Sequence, residues 1–128
     1  MREIKFRAWN KERKEMLLPT LIKLTTEGIT NISCNGKDNV EYFNIGQVVE
    51  LMQFTGLTDK QGQEIYEGDI YLNNENEDDL PTETVVKFEF GKFILTDRET
   101  QKRYLEDLVN IEGKVIGNIY ENPELIKT

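Results

Sequence analysis

Glycines recur every six residues in the middle of this chain, at Gly56, Gly62 and Gly68, and each sits among turn-forming residues. Asp59-Lys60-Gln61-Gly62 has the composition of a type I turn followed by a left-handed glycine. Glu67-Gly68-Asp69 leads into the apolar run Ile70-Tyr71-Leu72. Residues 55–71 therefore read as turns and strands that build a small β-rich domain, not as an active site. None of the three glycines opens a helix, and no Gly-x-Gly-x-x-Gly or P-loop is present, so a phosphate cradle is not expected.

The rest of the chain reads the same way. Ile4, Phe6 and Ala8 alternate with Lys5, Arg7 and Trp9, the period of a half-buried strand. Residues 10–13 make a polar turn and residues 15–18 a return strand that Pro19 stops, giving an N-terminal β-hairpin. Residues 20–50 are expected to hold two or three short strands, with Asn35-Gly36 as a turn. Residues 47–54 (QVVELMQF) predict a buried strand, with one or two helical turns as the alternative, closed by Thr55-Gly56. Residues 84–90 alternate, Gly91-Lys92 turns, and residues 93–96 return, which is the clearest hairpin. The spacing of Tyr104, Leu105, Leu108 and Val109 predicts a two-turn helix over 103–109. Residues 115–120 are a last strand, ended by Asn122-Pro123, with a helical turn over 124–126. The fold class is mainly β: a hairpin with short strands over 1–50, then a small barrel or sandwich with one short helix over 51–128, or the two joined in one compact unit.

Composition excludes several chemistries. Histidine is absent, which removes Ser-His and Cys-His nucleophile pairs and the commonest transition-metal ligand. One cysteine, Cys34, excludes an internal disulfide and a thiolate zinc site, and it reads as a small buried hydrophobe. Ser33 with Lys37 has no nucleophile motif behind it. Asn74, Asn76 and Asp78 match the first ligand spacings of a calcium loop, but Asp79 stands where glycine is required and Val85 where the bidentate Glu belongs. Glu67 and Asp69 are more simply turn-shaping carboxylates than an acid–base pair. No catalytic residue, metal or cofactor is expected. The opening MREIKFRAW has no apolar signal core, and no run approaches a membrane span, so a soluble intracellular protein is expected.

The net charge of −8 opposes non-specific nucleic-acid binding. It is unevenly spread: residues 1–23 carry seven Lys/Arg and three acids, net +4, which leaves −12 for the rest. Such a basic end on an acidic body suits an anionic partner or contact between copies of the chain. Lys5, Arg7 and Trp9 share one strand face and Arg13 follows in the turn. These four are the candidate binding residues for single-stranded nucleic acid, weighed against an exposed strand face with Trp9 tucked under the following loop.

Four blocks carry a family resemblance: the opening Arg2-Glu3-Ile4-Lys5-Phe6-Arg7-Ala8-Trp9, residues 51–62 (LMQFTGLTDKQG), residues 64–70 (EIYEGDI) and residues 115–125 (VIGNIYENPEL). In order and spacing they resemble the YopX family of phage and prophage proteins. The resemblance implies a mainly β protein whose C-terminal part is an SH3-like barrel, made in a bacterial cytoplasm. It carries over no catalytic residue, its members being small phage-encoded proteins of unassigned activity; the expected function is a non-enzymatic accessory protein that acts by protein–protein contact or self-assembly. A nucleic-acid-binding module is the alternative.

Overall fold

The computed structural model describes residues 3–73, 82–89, 91–96, 102–104 and 113–126. Among these the protein is mainly β, with twelve strands and one 3-10 turn at Pro123–Leu125. It divides into two compact units, residues 5–53 and residues 54–128 with 1–4.

The first unit is a two-layer sandwich. In one layer β1 (Phe6–Asn10) pairs antiparallel with β2 (Glu15–Leu17) on one side and with the first half of β6 (Val49–Thr58) on the other. The other layer is the meander β3 (Pro19–Thr25), β4 (Gly28–Asn35), β5 (Val40–Asn44). Pro19 opens β3, a position where the missing N–H costs no ladder bond. The layers meet through Ala8 and Val49 from one and Ile32 and Cys34 from the other, with Ile22, Phe43, Leu17 and Leu51 packed around them. Period-two alternation decides which face of the meander turns inward: Ile22, Ile32 and Phe43 are paired in register on the core side.

The second unit is built on a five-stranded antiparallel sheet in the order β11-β10-β9-β8-β12. Its strands are β8 (Asp69–Asn73), β9 (Thr82–Glu89), β10 (Lys92–Thr96), β11 (Lys102–Tyr104) and β12 (Gly113–Asn118). The short β7 (Glu64–Tyr66) pairs with the second half of β6. Ile65, Tyr71, Val86, Phe93 and Leu95 form the core, with Leu57 and Val115 against it. The β9–β10 hairpin matches its sequence signal, with Phe88 opposite Phe93 and their rings edge-on, 4.9 Å between centroids.

Two expectations are corrected. Residues 103 and 104 are not helical: Arg103 pairs with Leu95 and Tyr104 with Ile94, in β11. A two-turn helix is marginal alone, and the open edge of β10 offers the same residues a ladder; residues 105–109 lie outside the described residues. Nor does Gly56 close its strand. β6 runs on to Thr58 through a bulge between Phe54 and Thr58, and Gly56 takes the positive φ of 88° that the bulge needs.

Leu95 is 2% exposed at the centre of the second core. Leu95→Ala is expected to cost about 2–5 kcal/mol of stability. A urea titration checks it, the midpoint falling with an unchanged slope.

Candidate functional site

The glycine-marked segment is held by side-chain bonds to backbone. Thr55 Oγ1 donates to the Ile65 carbonyl at 2.7 Å and accepts from Leu57 N–H at 3.1 Å, bracing the bulge. Asp59 is 7% exposed. Its Oδ1 accepts from the N–H groups of Gln61 and Gln63, both at 2.9 Å, while Gly62 N–H donates to the Asp59 carbonyl at 3.0 Å. Gly62, at φ 84°, completes the predicted left-handed turn. The other oxygen, Oδ2, accepts from Val115 N–H on β12 at 3.0 Å, from a residue 56 positions away. Asp69 is 1% exposed and accepts from Tyr66 N–H at 2.7 Å, closing the turn between β7 and β8. Gly68 in that turn donates to the Val86 carbonyl and accepts from Ile119 N–H, both at 2.9 Å.

The last motif is built likewise. Asn118 Oδ1 accepts from Tyr120 and Glu121 N–H, at 3.0 and 2.8 Å, and Asn122 Oδ1 accepts from Asn118 N–H at 3.2 Å. A Cβ on Gly117 would overlap the Asn122 side chain, which explains the glycine at that strand position. The segments 55–71 and 115–122 are thus knit together by backbone-directed polar bonds. Their turns are legible in the sequence but their mutual contact is not, because Asp59 and Val115 carry no signal of each other. Tyr71 lies close by: its burial first, and the charge of Asp59 second, push the phenol pKa up.

The candidate binding residues sit in the first unit. Lys5 and Arg7 are half-buried, and Trp9 is 8% exposed. Arg7 and Trp9 share one face of β1, whereas Lys5 precedes the strand. Arg13 is exposed at the hairpin tip, bidentate on Glu41 of β5 (2.6 and 3.0 Å) and 3.7 Å from Glu15. That pairing raises the Arg13 pKa, chiefly through the hydrogen bond to Glu41, and lowers that of Glu41. Lys11 is 3.1 Å from Glu50. The tip itself is shaped by Asn10, 1% exposed, whose Oδ1 accepts from Glu12 and Arg13 N–H, both at 3.0 Å. In the sequence Asn10 is one polar turn residue among several; its place at the head of the turn is the signal of this role.

Among the other candidates, Ser33 is buried and its Oγ has no hydrogen-bond partner, so Lys37, exposed in the loop beyond β4, does not engage it. Cys34 is a core residue whose thiol pKa is raised by burial and then by Glu41. Asp69 serves its turn, and Glu67 is half-buried beside it. Asn74, Asn76, Asp78 and Asp79 lie outside the described residues. Among the described residues no group of three or more Cys, Asp or Glu side chains is placed to hold a metal, and no helix is long and apolar enough to cross a membrane.

The family profile described as YopX protein matches residues 5–127. Protein EF1440 from Enterococcus faecalis has a similar crystal structure, with a TM-score of 0.68 and 28% identity, over 99% of this chain and 100% of that one. Protein YopX from Bacillus subtilis has a TM-score of 0.72 at 20% identity, over 96% and 98%, a likeness of fold. No curated protein sequence matches the chain.

Asp59→Ala removes three acceptor bonds to backbone N–H groups, one of them linking the β6–β7 turn to β12. A loss of about 3 kcal/mol is expected, and a smaller one for Asp59→Asn, which keeps one acceptor oxygen; urea midpoints of both variants check this. The raised Tyr71 pKa means that its folded value lies above its unfolded one. Its stabilising contribution is complete below about pH 10 and is lost as pH rises through the folded pKa. Tyr71→Phe should therefore lose less stability than wild type between about pH 8 and about pH 11, read as the shift in thermal midpoint.

Proposed function

The chain belongs to the YopX family, and from that membership we propose that it is a phage or prophage accessory protein of the bacterial cytoplasm that acts by binding other protein surfaces, not by catalysis. One observation carries the reading. The carboxylates and amides that mark the family resemblance, Asp59, Asp69, Asn118 and Asn122, are directed at the protein's own backbone. They are engaged as turn-builders and strand ties, not poised toward a cleft as a general acid and base must be.

We read the second unit as an SH3-like barrel, which the β8–β9–β10–β11 meander continued by β12 supports. Such barrels bind through loops and one open face, an analogy of fold alone. Charge favours self-assembly as the mode of binding. Residues 5–53 carry seven Lys/Arg and six Asp/Glu, net +1, which leaves −9 for the remainder. The exposed hairpin tip with Lys11, Arg13 and Lys14 is then the contact for acidic residues of another copy, of which the sequence holds an excess outside residues 5–53.

Light scattering at low and high salt tests this. Masses above the monomer are expected at low salt and should fall at about 0.5 M NaCl, where the Debye length is about 4 Å. A monomer at both ends, at micromolar concentration, would remove self-assembly through the hairpin. The alternative is a nucleic-acid module using Lys5, Arg7, Trp9 and Arg13, favoured by the basic residues before, on and after β1. The cover over Trp9 weighs against stacking by that ring. An electrophoretic shift with single- and double-stranded DNA at about 10 μM protein and low salt decides it, since non-specific binders reach Kd values of about 10⁻⁴–10⁻⁶ M.

A further inference from the structure

Of the asparagines in the chain, Asn35 alone precedes glycine. The others precede branched, charged or amide residues, or Pro123, whose ring nitrogen has no proton to lose. The distinction is chemical. A glycine nitrogen can reach the preceding side-chain carbonyl without a Cβ in the way.

The structure explains why this pair stands where it does. Asn35 is the last residue of β4, exposed and paired with Val40 of β5. Lys37, Asp38 and Asn39 of the connecting loop are exposed as well. The turn has no room for a side chain at Gly36. A Cβ there would stand 2.6 Å from the Asn39 carbonyl oxygen and 2.8 Å from Glu41 Oε1. Close packing, not a left-handed backbone, therefore demands the glycine, and with it the reactive pair.

We propose that Asn35 is a site of spontaneous deamidation in the folded protein, reached by local opening of the β4–β5 turn. Gly36 N gives its proton to hydroxide and forms a bond to Asn35 Cγ. The Cγ–Nδ2 bond breaks, and ammonia leaves with a proton from water, which restores the hydroxide. Water then adds to either carbonyl of the resulting succinimide and opens the ring. One opening leaves aspartate, the other isoaspartate, whose main chain runs through the former side chain. Nothing is oxidised or reduced, and the product carries one more negative charge.

The fold restrains this step in two ways. Asn35 is held extended in the ladder, whereas ring closure needs its ψ turned far from the strand value. Gly36 N–H donates to the Asn39 carbonyl at 2.7 Å, which keeps the nucleophile engaged. Both restraints lie at the end of a hairpin, where opening needs only that bond and the last rung of the ladder to break. Isoaspartate lengthens the main chain just before Gly36, against which Glu41 lies, and Glu41 clasps Arg13. Conversion thus adds charge and shifts the seat of the hairpin-tip contact.

The test holds the full chain in mildly alkaline buffer, with and without guanidinium chloride. The tryptic peptide 24–37 is followed for isoaspartate and for the mass gain of NH2 becoming OH. Conversion in native buffer is expected roughly 10- to 100-fold slower than in denaturant, one bond and one rung being the barrier. Val49→Ala weakens the core of the same unit from the other layer and should leave the native rate unchanged. Asn35→Gln, whose longer side chain must close a larger ring, should keep the peptide intact. A native rate about 10³-fold or more below the denatured one routes the reaction through global unfolding and overturns the proposal. A rate that rises in Val49→Ala does the same. Conversion that persists in Asn35→Gln moves the chemistry to Asn31 and overturns it too.

Discussion

The Asp59 carboxylate ties three pieces of backbone together. One oxygen closes the 59–63 turn by two N–H bonds, and the other reaches Val115 on β12. A buried carboxylate is tolerated only when its oxygens are satisfied, and here backbone donors satisfy both. The consequence spreads through the second unit. The β6–β7 turn is fixed against β12, β12 pairs with β8, and β8 leads into the β9–β10 hairpin that fills the core. Asp69, Asn118 and Asn122 repeat the device at neighbouring turns.

In the first unit apolar packing between layers dominates, and polar bonds work at the rim. Ala8 and Val49 meet Ile32 and Cys34 inside. Outside, Asn10 sets the hairpin tip, and Arg13 bridges from that tip to Glu41 on the other layer. The most basic segment is therefore also part of the sandwich's edge. Its pairing with Glu41 and Glu15 moderates the field that the sequence count implies, because exposed pairs neutralise one another locally while adding little stability.

Much of the fold was legible because its signals are local. The 84–96 hairpin, the N-terminal hairpin and the 59–62 turn each follow from alternation and turn chemistry within a dozen residues. Where a segment had a local preference and a distant partner, the partner won. Arg103 and Tyr104 joined the edge of β10, and Gly56 became a bulge inside β6 instead of its end. Of the candidate binding residues, sequence placed Arg7 and Trp9 on one strand face, but could not foresee that Trp9 lies almost wholly covered or that Arg13 is clasped by a residue 28 positions on.

The glycines at 56, 62 and 68 announced a β-rich domain, and all three adopt the left-handed backbone that only glycine takes easily. Together with the absence of histidine and the single cysteine, they settled fold class and excluded chemistries, since those are properties of short windows and of composition. Only the tertiary structure decided which face of each strand is inside, that Asp59 answers to Val115, and that Ile22, Ile32 and Phe43 stand in one inward row. Those facts depend on register between strands distant in sequence, and register is set by packing of whole layers, which no single segment encodes.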